Sequence, residues 1–479
     1  MNFSMVFYVL GWLLDFEAMF MLPSIITGII YHEQAVLSLL ASMLACLVPG
    51  VFVFFFKPKD KKIYAREGYA ITALAWIVLS IFGAIPFVLS GSIPGFIDAV
   101  FETASGFTTT GASILTNVEA VPHCILFWRS FTHWVGGMGV IVFMIAFLPL
   151  AGGSEMFLMK AESPGPSVSK LVPKVKTTAL TLYKLYIWLT IVEIVILLLG
   201  HMPLFDTLCI TFGTAGTGGF SVLNSGCADY TAFQQIVITI FMIMFGVNFN
   251  FYYYVSRKRL KDAMHISEVF VYLGIIAASI AMITVNISSL YSSRGTALKD
   301  AAFQVGSIIT TTGFATTDFN LWPSFSKALL VTLMFVGACA GSTGGGLKVS
   351  RVQILCKSVV KEVYFLTHPH TIRKVTMDGR QVEHTVRRSV LTYLSAYMVV
   401  VVFSVLLVSL DNFDLETSFT AVAATLNNIG PGLGKVGPSA NFSSLSGLSK
   451  IVLTFDMIAG RLELFPIFSL FAPSTWRKS

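Results

Sequence analysis

Apolar positions along this chain come in long runs divided by short polar stretches, and a helix needs about 20 apolar residues to cross the hydrocarbon of a bilayer. That rule predicts two N-terminal spans near 4–30 and 36–56. After "KPKDKK" the pattern changes and repeats four times. Each unit reads as an outward span, a short semi-apolar segment, a Thr/Gly-rich turn and a returning span. The outward spans are predicted near 69–90, 180–200, 267–290 and 390–410, and the returning spans near 126–148, 231–255, 325–366 and 446–471. The units divide the chain into 1–66 (two N-terminal helices), 67–176, 177–265, 266–386 and 387–479.

The turns read "FTTTGAS", "AGTGGFS", "TTTGFAT" and "NNIGPGL". Aligned on Gly111, Gly218, Gly313 and Gly430, they recur at intervals of 107, 95 and 117 residues. Thr-Gly turns cap helices in many proteins, so one alone says little. Four, each between an outward and a returning span, make an internal repeat, which must be read before anything else. The segments before them, such as "PGFIDAVFETAS" and "TALKDAAFQVGS", are too short to cross. They are expected to enter from outside as half-helices and turn back as extended chain. Non-helical backbone at membrane depth is tolerated only where it is buried in protein or lines a water-filled path. Glycine opens conformations closed to other residues, so four such loops can ring one axis with carbonyl oxygens that replace a cation's hydration shell. The expected ring comprises Thr109, Thr110, Gly111, Thr217, Gly218, Thr311, Thr312, Gly313, Asn428, Ile429 and Gly430.

Composition sharpens this picture. Charged residues are 12% of the 479, against about 25% in a soluble domain, and hydrophobic ones 55%. The net charge of +7 raises the question of nucleic acid, but 25 of the 32 Lys and Arg fall in five clusters: 57–66, 160–184, 257–261, 348–388 and 477–478. Each follows an apolar hairpin, and positive charge accumulates on cytoplasmic loops. All five clusters and the N-terminus are therefore expected inside, and the basic excess is a topology signal. The first segment lacks a basic n-region and a small-residue cleavage site, so it reads as an uncleaved membrane helix. The six Cys show no metal or redox spacing, and no nucleophile–base constellation appears, which argues against an enzyme.

"VGACAGSTGGGLKVSR" (336–351) superficially resembles a phosphate-binding loop. A Walker motif needs Gly-Lys-[Ser/Thr] four residues after the first Gly; Gly341 and Gly346 are so spaced, but Leu347 stands in place of the Lys. A second reading fits better. The third returning span, 325–366, is about 63 Å long at 1.5 Å per residue, twice a bilayer, and should be broken at this run. Gly337, Gly341, Gly344, Gly345 and Gly346, with Ser342 and Thr343, then form a loop beneath the ring that gates the path; the alternative is close helix packing by small residues. Arg461 falls near the middle of the last span, where a charge is costly and normally functional. Beneath a cation path it raises the barrier for the next ion; an ion pair with Asp456 or Glu463 is the structural alternative. Glu102 and Asp300 are expected near the mouth, either gathering cations or favouring helix N-termini. His133 and Trp134 read as interfacial or core packing, and Asp15 and Glu17 suggest pairing with a neighbouring helix.

Four membrane–pore–membrane repeats with one Gly each resemble the superfamily of Trk, Ktr and HKT potassium transporters. The two extra spans and "TTTGAS", "TTTGFAT", "NNIGPGLG" and "AGRLELF" are similar to its TrkH-type members, over essentially the whole chain. The resemblance implies an all-α polytopic protein of the bacterial inner (plasma) membrane, with four pseudo-fourfold repeats around a central ion pore. It implies potassium uptake, a homodimer with one pore per protomer, and a cytosolic ring of TrkA-like regulatory subunits. Potassium is then the transported ion, and any nucleotide, NAD or ATP, sits on the partner. An intramembrane gating loop and an adjacent Arg are likewise implied at 337–346 and Arg461. The fourth loop departs from the pattern, with Ile429 before its Gly where the others carry Thr, so the ring is not truly fourfold. The competing function is a proton- or sodium-coupled secondary transporter with discontinuous helices.

Overall fold

The computed structural model describes residues 1–53, 55, 58, 63–139, 158, 175–371 and 374–476, the side chains of 175–179 excepted. Half of the basic stretch 57–66, most of 160–184 and both Arg477 and Lys478 lie outside the described residues. So does the first returning span beyond 139. Among the described residues six helices are long and apolar enough to cross a membrane, or seven if one bent pair counts as a span. Among the described residues the regular structure is helical apart from one two-stranded hairpin, Thr376–Met377 with Arg380–Gln381.

Two N-terminal crossings, Phe3–Ile30 and Val36–Val53, pack against the first repeat. The four repeats then share one order. Outward helices (Ala65–Phe82 continued by Ile85–Leu89, Val175–Leu199, Ser267–Ile287 and His384–Val408) lead to half-helices Phe96–Phe107, Leu204–Gly216, Arg294–Ile309 and Leu415–Leu426. At 12, 13, 16 and 12 residues the half-helices rise roughly 18–24 Å, too little to cross. Local chemistry fixes where they start. Pro203 immediately precedes the second, Ser293 caps the third through Gly295 N at 3.2 Å, and Asp414 caps the fourth through Thr417 N at 3.1 Å. Asp98, Asp206 and Glu416 sit in first turns, where a negative charge meets the positive end of the helix dipole.

The returning helices begin at His123, Ala232, Ser324 and Gly447 and run only 15, 14, 13 and 15 residues. A break is expected from sequence in the third alone. It is there, between Val336 and Val349, but the second and fourth are broken too. The second bends by 92° between Phe245 and Phe249; the fourth stops at Arg461 and resumes at Phe465, with Glu463 and Leu464 at φ 53° and 67°. Positive φ at a Leu or Glu costs about 1–3 kcal/mol and persists because surrounding contacts over-determine it. Glycines let the returning helices approach the half-helices backbone to backbone. A Cβ on Gly136 would overlap the Phe107 carbonyl, and one on Gly460 the Leu426 carbonyl. These are matching places in repeats one and four, each at the last turn of the half-helix. Five of the six cysteines are buried and Cys356 is exposed; all are free.

Candidate functional site

Each half-helix ends in the same backbone figure: a residue in the left-handed region, one more residue, then a left-handed Gly. The sets are Thr109 (φ 56°) with Gly111 (79°), Thr217 (57°) with Gly219 (76°), Thr311 (60°) with Gly313 (87°), and Asn428 (54°) with Gly430 (98°). The second loop corrects the sequence alignment by one residue. Gly219, not Gly218, adopts the conformation of Gly111, Gly313 and Gly430, while Gly218 matches Thr110, Thr312 and Ile429. The Thr-x-Gly and Asn-x-Gly spacing carried that register, but two adjacent glycines concealed it. Asn at the fourth position is apt, since it tolerates the left-handed region better than most residues.

The loops close a ring in chain order. A Cβ on Gly111 would strike the Gly218 carbonyl oxygen, one on Gly219 that of Thr312, one on Gly313 that of Ile429, and one on Gly430 that of Thr110, 2.8 Å away. Each glycine thus lets the neighbouring loop's carbonyl approach where any side chain would exclude it. A single cavity of about 170 Å³ touches all four of these glycines. Around it runs an outer collar of hydrogen bonds between successive loops. Val118 N donates to Asn224 Oδ1 (2.8 Å), Cys227 N to the Ala315 carbonyl (2.8 Å), Gly434 N to Asn320 Oδ1 (3.0 Å), and Phe442 N to the Ser113 carbonyl (2.8 Å). The four half-helices direct their C-terminal ends at the ring, and each such end carries about half a negative charge.

The side chains behind the ring differ from loop to loop. In loops one and three, hydroxyl pairs brace the turn: Thr108 with Thr110 at 2.8 Å and Thr310 with Thr312 at 2.7 Å. Loop four uses amides, with Tyr397 Oη donating to Asn427 Oδ1 (3.0 Å) and Asn428 Nδ2 donating to Thr110 Oγ1 (2.9 Å) and the Met457 carbonyl (2.8 Å). Loop two has Gly216 and Gly218 at the braced positions, and His133 fills the space. Its ring lies where a Gly218 Cβ would go and stacks on Phe220 at 4.1 Å, which also carries the Arg129 guanidinium at 3.5 Å. His133 is therefore a core residue, fully buried. Gly218→Ala is expected to impair the protein in wild-type background and to regain activity when paired with His133→Ala. Gly219→Ala, blocked by backbone, should show no such rescue; side-by-side transport assays of the three variants check this.

Glu102 is not an open-mouth carboxylate. Fully buried, it accepts from Arg129 Nε (2.6 Å), Ser113 Oγ (2.9 Å) and Ile114 N (2.8 Å), and Arg129 also donates to the Ser221 carbonyl (3.0 Å). The pair bolts loop one to loop two. Asp300 pairs with its neighbour Lys299 at 3.1 Å.

Beneath the ring lies the glycine run, residues 337–348, between two helices. Gly345 N donates to Thr311 Oγ1 (2.6 Å), and a Cβ on Gly344 would come within 2.7 Å of the Thr310 carbonyl. The run is also knitted to the break in the second returning span: Cys339 N donates to the Gly246 carbonyl (3.1 Å) and Phe249 N to the Gly341 carbonyl (3.0 Å). Arg461 joins three repeats at this level. It donates to the Thr343 carbonyl in the run (2.9 Å), to the Gly136 and Gly137 carbonyls (2.5 and 2.7 Å), and more weakly to Thr109 Oγ1 (3.4 Å). Its suggested partners are engaged elsewhere, Glu463 with Arg351 and Asp456 with Ser404 Oγ (2.8 Å). Lys348, at φ 76° and nearly buried, turns its ammonium to the Gly344 carbonyl. Sequence reasoning missed Arg351 and offered Glu463 to Arg461 instead, because the Arg351–Glu463 pair joins the third and fourth repeats; Lys348, also missed, bonds within its own run.

The model of the TrkH family, described as a cation transport protein, matches residues 34–274 and 263–478. The Trk system potassium uptake protein TrkH of Salmonella typhimurium is 35% identical over the full length of both chains. TrkG of the same kind of system in Escherichia coli K12 is 33% identical over 98% of each. The crystal structure of the potassium transporter TrkH from Vibrio parahaemolyticus superposes with a TM-score of 0.89 at 31% identity, covering all of both chains. The membrane spans, the fourfold order of half-helices and these likenesses agree: the chain belongs to the TrkH family of cation transport proteins, membrane transporters rather than enzymes.

Proposed function

We propose that this protein takes up potassium as the membrane subunit of a Trk system, through a channel-like pore on the axis of the four loops. The observation that carries this reading is the closed ring in which each left-handed glycine admits the next loop's carbonyl. In it, Thr109, Thr110, Gly111, Thr217, Gly218, Thr311, Thr312, Gly313, Asn428, Ile429 and Gly430 bind dehydrated K⁺, joined by Gly219. Backbone oxygens replace water around the ion, and the four converging helix ends supply negative potential without a fixed carboxylate. The run containing Gly337, Gly341, Ser342, Thr343, Gly344, Gly345 and Gly346 is the gate, and Arg461 holds it closed through Thr343 while placing positive charge on the ion path. The division at 66, 176, 265 and 386 is the repeat organisation that goes with this reading.

The names of the relatives point to a multi-component system, which this reading places in a bacterial inner membrane. A homodimer with an inside N-terminus fits the charge pattern and the resemblance. Its regulator is a TrkA-like cytosolic subunit that binds NAD or ATP and docks on the basic stretch 348–388; this chain needs no cofactor of its own. Broken returning helices also favour comparison with a coupled transporter, in which discontinuous helices build a midplane site. Uptake of radiolabelled Rb⁺ by liposomes containing the purified protein separates the two. A pore passes Rb⁺ down its own gradient with no proton or sodium gradient imposed. Uptake that appears only when a proton or sodium gradient is applied would replace the pore with a symporter.

A further inference from the structure

The two feet of the glycine run are held together by one buried carboxylate from a different helix. Glu268, 3% exposed, stands in the first turn of the third outward helix. Its Oε1 accepts from Ala340 N at 2.7 Å and from Ser350 N at 3.0 Å, and its Oε2 receives Asn248 Nδ2 at 3.4 Å. Ala340 precedes the central glycines and Ser350 opens the helix that follows them, so a single oxygen atom joins the entrance and exit of the run. Hydrogen bonds from backbone N–H to an ionised acceptor are about twice as strong as neutral ones. With most of its glycines free in φ and ψ, the run has no stiffness of its own to keep its feet together.

The residue before Glu268 is gripped from the cytoplasmic side. Ser267 donates through both N (2.8 Å) and Oγ (2.7 Å) to Asp378 Oδ1. Asp378 and Gly379, at φ 51° and 74°, are the two turn residues of the hairpin in which Met377 faces Arg380. Positive φ at both positions is the mirror-image turn whose twist matches a two-stranded hairpin, and Asp-Gly favours it. The hairpin is anchored as well to the helix that leaves the run, through Lys357 Nζ and the Thr376 carbonyl at 2.9 Å.

We propose that Glu268 is a positioning residue that clamps the glycine run shut, and that the Asp378 hairpin is the cytoplasmic handle through which force on the inner face reaches that clamp. The inference rests on reading the run as a gate. A push or pull on the hairpin acts on Ser267 and, one residue on, on the carboxylate that joins Ala340 to Ser350. It also acts on the exit helix through Lys357, so helix start and loop exit move as one body.

The test is Rb⁺ uptake into liposomes by the purified full-length protein, with Arg461→Ala as the control for the gate itself. Glu268→Ala is expected to raise basal uptake as Arg461→Ala does, Glu268→Gln, which keeps one acceptor oxygen, to raise it less, and Asp378→Ala to raise it by about two- to threefold, the low end of what a substitution along a coupling path does. Because both act along one path, Glu268→Ala with Asp378→Ala together should match Glu268→Ala alone, and Rb⁺ over Na⁺ preference should stay at the wild-type ratio in each. A merely structural role would leave neither signature. If Arg461→Ala raises uptake while folded Glu268→Ala and Asp378→Ala behave as wild type, the clamp is overturned and the gate stands. If Arg461→Ala is silent as well, the gate reading falls and takes the clamp with it. Should Glu268→Ala fail to fold, Glu268→Gln and Asp378→Ala decide by the same criteria; a rise in Glu268→Gln with none in Asp378→Ala overturns the handle alone.

Discussion

Gly313→Asp abolishes Rb⁺ uptake while the protein still purifies as a membrane-inserted species of wild-type size. The substitution combines two costs at one atom. At φ 87° an Asp pays for a left-handed backbone, and its Cβ must displace the Ile429 carbonyl of the neighbouring loop. Strain of this kind is about 1–3 kcal/mol, and every tenfold change in occupancy corresponds to about 1.4 kcal/mol. A shifted carbonyl and a fixed anion in the ring therefore reduce conduction by roughly a hundredfold or more. Gly313→Ala carries the steric cost without the charge, so it should lose uptake as well, and an active Gly313→Ala protein would show that the ring does not carry the ion. The same uptake assay, normalised to the amount of protein per liposome, reads both.

The second large effect has the opposite sign. Arg461→Ala raises basal uptake by roughly tenfold, because a positive charge some 6 Å from a monovalent cation repels it by about 3 kcal/mol at an effective dielectric of 20 and water in an open path screens part of that. Loss of the donors to the Thr343, Gly136 and Gly137 carbonyls also releases the run from the first and fourth repeats. Arg461→Lys keeps the charge but offers only three donors on a compact ammonium in place of the guanidinium fork, so it should leak less than Arg461→Ala and more than wild type. Initial rates of Rb⁺ uptake across the three proteins give the order. Equal rates in all three would remove Arg461 from the barrier.

The architecture was legible in the sequence because its main determinants are local. A run of apolar residues crosses a bilayer whatever its neighbours do, and a Gly-rich turn after a helix too short to cross has to line a path or be buried. That logic, with the glycine run to mark the place, predicts the third break, which lies between Val336 and Val349. It fails where the signal is not local. The second returning span bends at Gly246, Val247 and Asn248, and the fourth at Leu462, Glu463 and Leu464, with a single Gly or none to announce it. Those breaks exist because the third repeat's glycine run packs against the second span and Arg351 binds Glu463 from the fourth.

Charges divide in the same way. Aligned on Gly111 and Gly313, Glu102 corresponds to Gln304 and Asp300 to Asp98, so the two acids were never at one position. That Glu102 is buried against Arg129 while Asp300 pairs with the adjacent Lys299 depends on how the returning helix packs over the half-helix. Glu268 offered no signal at all: it is one acid at the start of an apolar span, and its three donors come from positions 248, 340 and 350.

The sequence by itself determined the membrane class, the two leading helices, the four repeats and the composition of the four turns. Hydropathy, helix length and the conformational freedom of glycine are properties of a residue and its near neighbours, so they can be read without a fold. Tertiary structure alone decided that Gly219 rather than Gly218 holds the left-handed place in the second loop, that His133 fills the space Thr occupies in loops one and three, and which carboxylate meets which base. Each of those depends on atoms brought together from separate repeats, where close packing and the need to satisfy buried polar groups select one arrangement among several that the local sequence permits.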